Sequence, residues 1–123
     1  MALVRSKKGK AVLAKVRKIA MKYPEVTEIV DGFGHSVFKV RNKSFIFVSE
    51  YKGRLNLILR LLHETQDFLI HHTSRFEKSP YIGQHGWTTL KPEYKIDWGE
   101  VEGFIDEAYR RTAPKTVLKK LAE

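Results

Sequence analysis

Residues 35–61 read HSVFKVRNKSFIFVSEYKGRLNLILRL. Val37, Phe38, Val40, Phe45, Ile46, Phe47 and Val48 gather β-branched and aromatic side chains in two short runs, the composition that favours strands. Asn42-Lys43 between the runs suggests a hairpin. Lys52-Gly53 is a second break, after which Leu55, Leu57, Leu59 and Leu61 alternate with mostly polar neighbours. A period of two marks a strand with one buried face, so three consecutive strands are expected here. The preceding Asp31-Gly32-Phe33-Gly34-His35 reads as the turn that leads into them.

On the N-terminal side, Val12, Val16, Ile19 and Tyr23, with Leu13 and Ala20, form an apolar stripe at helical spacing. Lys15, Lys18 and Lys22 then share the opposite face, and Pro24 ends the helix. Residues 1–10 look too charged and too short to pack, which predicts a mobile basic arm. On the C-terminal side, residues 63–70 predict a two-turn helix, and residues 73–86 a loop, from their glycines and Pro80. Trp87 to Leu90 opens a fourth strand, and a turn at Lys91-Pro92-Glu93 leads to a short fifth strand around Tyr94-Lys95-Ile96. Asp97 and Glu100 have capping-box spacing ahead of Val101, Phe104, Ile105 and Ala108, so a helix runs to about Ala113. Val117, Leu118 and Leu121 make residues 116–123 a basic helical tail.

A length of 123 residues fits one domain, and 42% hydrophobic with 30% charged residues is ordinary for a globular chain. With no cysteine, disulfides, thiolate metal sites and thiol nucleophiles are excluded. MALVRSKKGK has no apolar stretch of the length a secretory signal needs, and nowhere do eighteen apolar residues run together, so a cytoplasmic protein with no membrane association is expected. The net charge of +9 sits at the ends: residues 1–22 carry +8, residues 23–108 carry −3 and residues 109–123 carry +4. Such ends attract polyanions through a field that salt weakens, and they serve equally as a solubilising surface.

The residues that can carry chemistry are few. His63-Glu64-Thr65-Gln66-Asp67 resembles a zinc-protease helix but has aspartate where the second histidine should stand, and nothing marks a third ligand, so no metal is expected. His71 and His72 are adjacent and diverge on a helix. His35 and His85 sit among glycines, in loops that either present N–H groups to an anion or are tight turns in which a histidine ties down a carbonyl. His35, Tyr81, His85 and Trp87 define a candidate small-ligand pocket, with Gly83 and Gly86 shaping its loop. No nucleophile elbow, phosphate loop or dinucleotide fingerprint is present, so neither catalysis nor a cofactor is expected. Lys39, Arg41 and Lys43 share strand parity and would project from one surface, as a β-ribbon presents side chains to a duplex; a solvated sheet face has the same pattern.

The ordered set Tyr23-Pro24-Glu25-Val26-Thr27-Glu28, Gly34-His35-Ser36-Val37-Phe38-Lys39-Val40, Pro80-Tyr81-Ile82-Gly83-Gln84-His85-Gly86-Trp87, Asp97-Trp98 and Ala108 to Lys115 resembles the MmcQ/YjbR family. The resemblance spans a single domain over residues 11–115. It implies a two-layer α+β fold like that of type III secretion chaperones: an antiparallel sheet of about five strands covered by helices, with N- and C-terminal helices flanking. It also implies the family's label, DNA-binding protein, with paired wing-like hairpins holding the duplex, and brings no catalytic residue or cofactor. Ser36 stands where the family usually has proline, and the lysine-rich N-terminus precedes the matched region. The expected function is therefore DNA binding without catalysis. Lys39, Arg41, Lys43, Lys15, Lys18, Arg110, Arg111 and Lys115 are the expected phosphate contacts, and Arg41 the best bidentate reader. The alternative is a protein or peptide interaction module that pairs along an exposed Leu55–Leu61 strand.

Overall fold

Ser6 starts the first helix, α1 (Lys7–Ala20), of the computed structural model, which describes residues 3–122. The Ser6 side chain accepts a hydrogen bond from the Gly9 N–H at 2.9 Å, satisfying a donor that a helix start otherwise leaves open. Val12, Val16 and Ala20 are buried along one stripe. The chain ahead of the helix is tied down as well: the Arg5 and Ser6 N–H groups donate to one Glu50 oxygen at 2.9 and 2.8 Å, and the Ser6 hydroxyl donates to the other. The arm expected over residues 1–10 is thus corrected. Residues 7–10 are the first turn of α1, residues 5 and 6 are pinned to the sheet, and Met1 and Ala2 lie outside the described residues. The lysine run can pack because Ser6 caps it and because Gly9, lacking a side chain, lets the first turn lie against Val4.

Six strands follow: β1 (Val26–Val30), β2 (Ser36–Val40), β3 (Lys43–Tyr51), β4 (Arg54–Arg60), β5 (Phe76–Lys78) and β6 (Trp87–Leu90). They form one sheet in the order β1-β2-β3-β4-β6-β5, with every neighbouring pair antiparallel. The β2–β3 turn is Arg41-Asn42 (φ 48° and 68°), with Val40 opposite Lys43, and the β3–β4 turn is Lys52-Gly53 (φ 51° and 77°), with Tyr51 opposite Arg54. Two-residue turns with both φ positive match the twist of the strands they join. The first turn therefore lies one residue earlier than Asn42-Lys43. The register shift after Phe38 leaves Phe45 as an extra residue, so Phe45 and Ile46 are both buried and the simple alternation breaks.

The sheet has six strands rather than about five, and two expectations change. β1 and β5 are strands within segments whose sequence does not announce them, while the expected strand at Tyr94-Lys95-Ile96 is absent. The position beside β6 is already filled by β5, through Phe76 opposite Leu90. Residues 91–96 instead leave the sheet in a turn, with the Tyr94 hydroxyl donating to Ser74 at 3.0 Å.

The remaining helices are α2 (His63–His72), α3 (Trp98–Thr112) and α4 (Lys115–Leu121). Asp97 caps α3 by accepting the Glu100 N–H at 3.2 Å. Leu62 cannot cap α2 with its side chain, and Glu107 of α3 reaches across to accept the Leu62 N–H at 3.0 Å and the Thr65 hydroxyl at 2.8 Å. Residues from all four helices join Phe38, Ile46, Val48, Leu57, Leu59 and Leu90 in one core, giving an α+β fold of two layers. Val37 and Trp87 are buried outside that core, at positions that alternate with it.

Candidate nucleic-acid interface

A helix turns about 100° per residue, so burial of Val12, Val16 and Ala20 fixes what the rest of α1 presents. Lys7, Lys8, Lys10, Lys15, Lys18 and Lys22 are all exposed, and no acidic residue lies between positions 7 and 22. Arg17 pairs with Glu28 on β1 at 2.6 and 2.8 Å. Among the described residues, no carboxylate lies within ion-pair distance of the six lysines. Lys7 to Lys18 spread over about 16 Å of helix axis, and Lys22 stands two residues past the end of α1. Helical spacing makes Lys15 and Lys18 legible as contacts, whereas Lys7, Lys8 and Lys10 read as a separate arm; Ser6 as a cap is the signal that joins them to the same helix.

The β2–β3 turn behaves differently. Lys39 is half-buried in β2, Arg41 is the first residue of the turn and Lys43 opens β3, so the three do not lie along one strand as their parity suggested. Arg41 donates through Nε and Nη2 to the two Glu25 oxygens at 2.6 and 3.1 Å, and Lys120 donates to the same carboxylate at 2.8 Å. The Arg41 bond first and the Lys120 bond second hold the Glu25 carboxyl down at about 2. A guanidinium whose fork already grips a carboxylate must break that pair to read a base edge. The Arg41-Asn42 and Lys52-Gly53 turns also stand at opposite ends of β3, roughly 30 Å apart, and point away from each other.

The C-terminal cations divide in the same way. Arg110 donates to Asp106 at 2.9 Å. Arg111 reaches inward and donates to the Leu61 carbonyl, and burial first, then the neighbouring Arg60, pulls its pKa down. Lys115 is exposed at the start of α4.

The glycine-histidine loops are held by packing. Gln66, buried on α2, donates to the Gly83 and Trp87 carbonyls at 3.0 Å each. Gly86 has φ 90°, and a Cβ there would overlap the Arg111 guanidinium and the Leu61 carbonyl. The Gln84 carbonyl can only accept, so His63 Nε2 donates to it, at 2.7 Å. His85 is exposed, and Tyr81 is 95% exposed. His35 Nδ1 lies 2.8 Å from Asp31. Burial alone would raise the Asp31 carboxyl, but hydrogen bonds from the His35 ring and from the His35 and Phe33 backbone outweigh it and hold the group below its ordinary range. The His35 ring stands 5.8 Å from Phe47, which stands 4.8 Å from Trp87. These contacts make an aromatic row, and four clefts on the described surface are lined by none of His35, Tyr81, His85 and Trp87. Among the described residues, no group of three or more histidine or acidic side chains is placed to hold a metal, and no helix is long and apolar enough to cross a membrane.

A family model described as YjbR matches residues 21–111. The chain belongs to the YjbR family. No curated protein matches it. The YjbR segment contains the β2–β3 turn, the Pro80–Trp87 loop and nearly all of α3. Helix α1 precedes the YjbR segment, and α4 follows it.

Proposed function

We propose that this chain binds the phosphate backbone of DNA without sequence readout, through the solvent face of α1. The observation that carries the reading is the set of five exposed lysines on α1, with an exposed Lys22 just past its end, and no acid among them. Ammonium groups are compact point charges, suited to phosphate oxygens rather than to the paired acceptors of a base edge. Lys43 and Lys115 add to the field, whereas Arg41, Arg110 and Arg111 are committed to partners within the fold. The YjbR resemblance carries the same DNA-binding label.

The test is anisotropy of a random-sequence fluorescent duplex, titrated with nuclease-treated protein at several salt concentrations. Engagement of four to six lysines gives a log–log salt slope of about −4 to −5. Absence of binding at low salt overturns the proposal. A protein partner is the second reading, favoured by the row of Phe33, His35, Phe47 and Trp87, in which Phe33 is 74% exposed. The leucine strand first expected to offer an edge cannot do so: β4 lies between β3 and β6 with its leucines in the core, and the edges are β1 and β5.

A further inference from the structure

Between α1 and residues 91–98 the core comes to the surface in a cleft of about 620 Å³. Its floor is Val12, Leu55, Leu57 and Leu90, all members of the core, and Ile96 and Trp98 also line it. Four cations join this lining: Lys8 and Lys15 from α1, and Lys91 and Lys95 from the segment after β6. Lys15 Nζ stands 5.1 Å from the centre of the Trp98 ring, a cation–π contact that holds its ammonium at the cleft. The single carboxylate in the lining is Glu93, which meets Arg54 at 3.4 Å. Among the described residues, none of the four lysines is in an ion pair.

The two halves of this lining ask for different things of one ligand. An inorganic anion or a sugar-phosphate chain satisfies the lysines and gains nothing from four aliphatic side chains. A neutral apolar molecule fits the floor and leaves the ammonium groups unused. A cationic amphiphile is repelled. The volume lies in the range of small-molecule sites, which combine apolar walls with a few placed polar groups. We infer that the cleft binds a small amphipathic anion, a carboxylate or phosphate head on an apolar body of about a dozen or more carbons, with the body on the leucine floor and the head among Lys8, Lys15, Lys91 and Lys95. This site does not rest on DNA binding, and its two distinguishing lysines, Lys91 and Lys95, lie off α1.

The test follows the indole N–H resonances of Trp98 and Trp87 while the full chain is titrated, below micelle formation, with laurate, monododecyl phosphate, dodecyltrimethylammonium or acetate. Saturable movement of Trp98 with laurate or dodecyl phosphate, little movement of Trp87, and no response to acetate or the cationic detergent are expected; the tighter of the two anions identifies the head. The double variant Lys91→Glu/Lys95→Glu is expected to raise Kd at least tenfold with an unchanged melting temperature, and Lys95→Glu alone serves if the pair disturbs folding. The inference is overturned if neither anion moves Trp98 saturably, if dodecyltrimethylammonium moves it equally, or if charge reversal leaves Kd unchanged.

Discussion

Helix α1 and the β2–β3 turn are both rich in cations, and the structure uses them in opposite ways. Five lysines on α1, and Lys22 just past its end, face solvent with no carboxylate in reach among the described residues, whereas Arg41 at the turn is bound through Nε and Nη2 to Glu25, which also takes Lys120 from α4. A count of positive charge does not separate the two regions. What separates them is whether an acid from a distant part of the chain arrives at the same place. Paired cations belong to the stability of the fold, and unpaired ones remain available to a polyanion.

That division can be broken by substitutions at either kind of site. The largest effect on stability is expected from Arg111→Ala, which leaves the Leu61 carbonyl and the space beside Gly86 without the guanidinium. Urea melts should show a loss of about 2 kcal/mol, with duplex affinity of the folded protein unchanged. A variant of full stability with weakened DNA binding would place Arg111 on the wrong side of the comparison. Ser6→Ala comes next: it removes the α1 cap and the hydroxyl bond to Glu50, and should cost about 1 kcal/mol. Because the first turn then frays, faster amide exchange at residues 7–10 is the accompanying observation; unaltered exchange would show that the cap is not what holds the turn.

The smallest effect is expected from Arg41→Ala, on an exposed pair. It sharpens the comparison through pH. Glu25 is held at about 2 against an ordinary 4.5, so its contribution is present above pH 4.5 and is lost as the pH falls toward 2. Melting curves across that interval should show a shallower acid decline in Arg41→Ala than in the parent protein. Equal declines would mean that the pair with Glu25 does not form in solution.

The helices α1 and α3 could be read because their apolar positions repeat over several turns, β2 and β3 because β-branched and aromatic residues gather in runs between turns, and β4 because its leucines alternate. β5 escaped notice because three residues are too few to show a period, and β1 because Val26–Val30 is an edge strand with two exposed apolar residues, Ile29 and Val30, at its end. The Tyr94–Ile96 segment has strand-like composition, but β5 competes for the same neighbour and wins through Phe76. At the candidate interface, the place of Lys15 and Lys18 on α1 followed from spacing, whereas that of Lys7, Lys8 and Lys10 depended on the Ser6 cap. The pairing of Arg41 did not follow from spacing: Glu25 is 16 residues away and Lys120 is 95 residues from Glu25, and the left-handed turn at Arg41-Asn42 lacks the glycine that usually announces one.

Under the proposed function, α1 and not the paired arginines supplies the contact with DNA. The most direct measurement is the salt dependence of duplex binding for Lys10→Ala/Lys18→Ala beside Arg41→Ala/Arg110→Ala. Removing one lysine–phosphate interaction should make the log–log slope less steep by about 0.9. A slope shallower by about 2 is expected for the lysine pair, and the parent slope for the arginine pair. A parent slope for the lysine pair together with a shallower one for the arginine pair would contradict it.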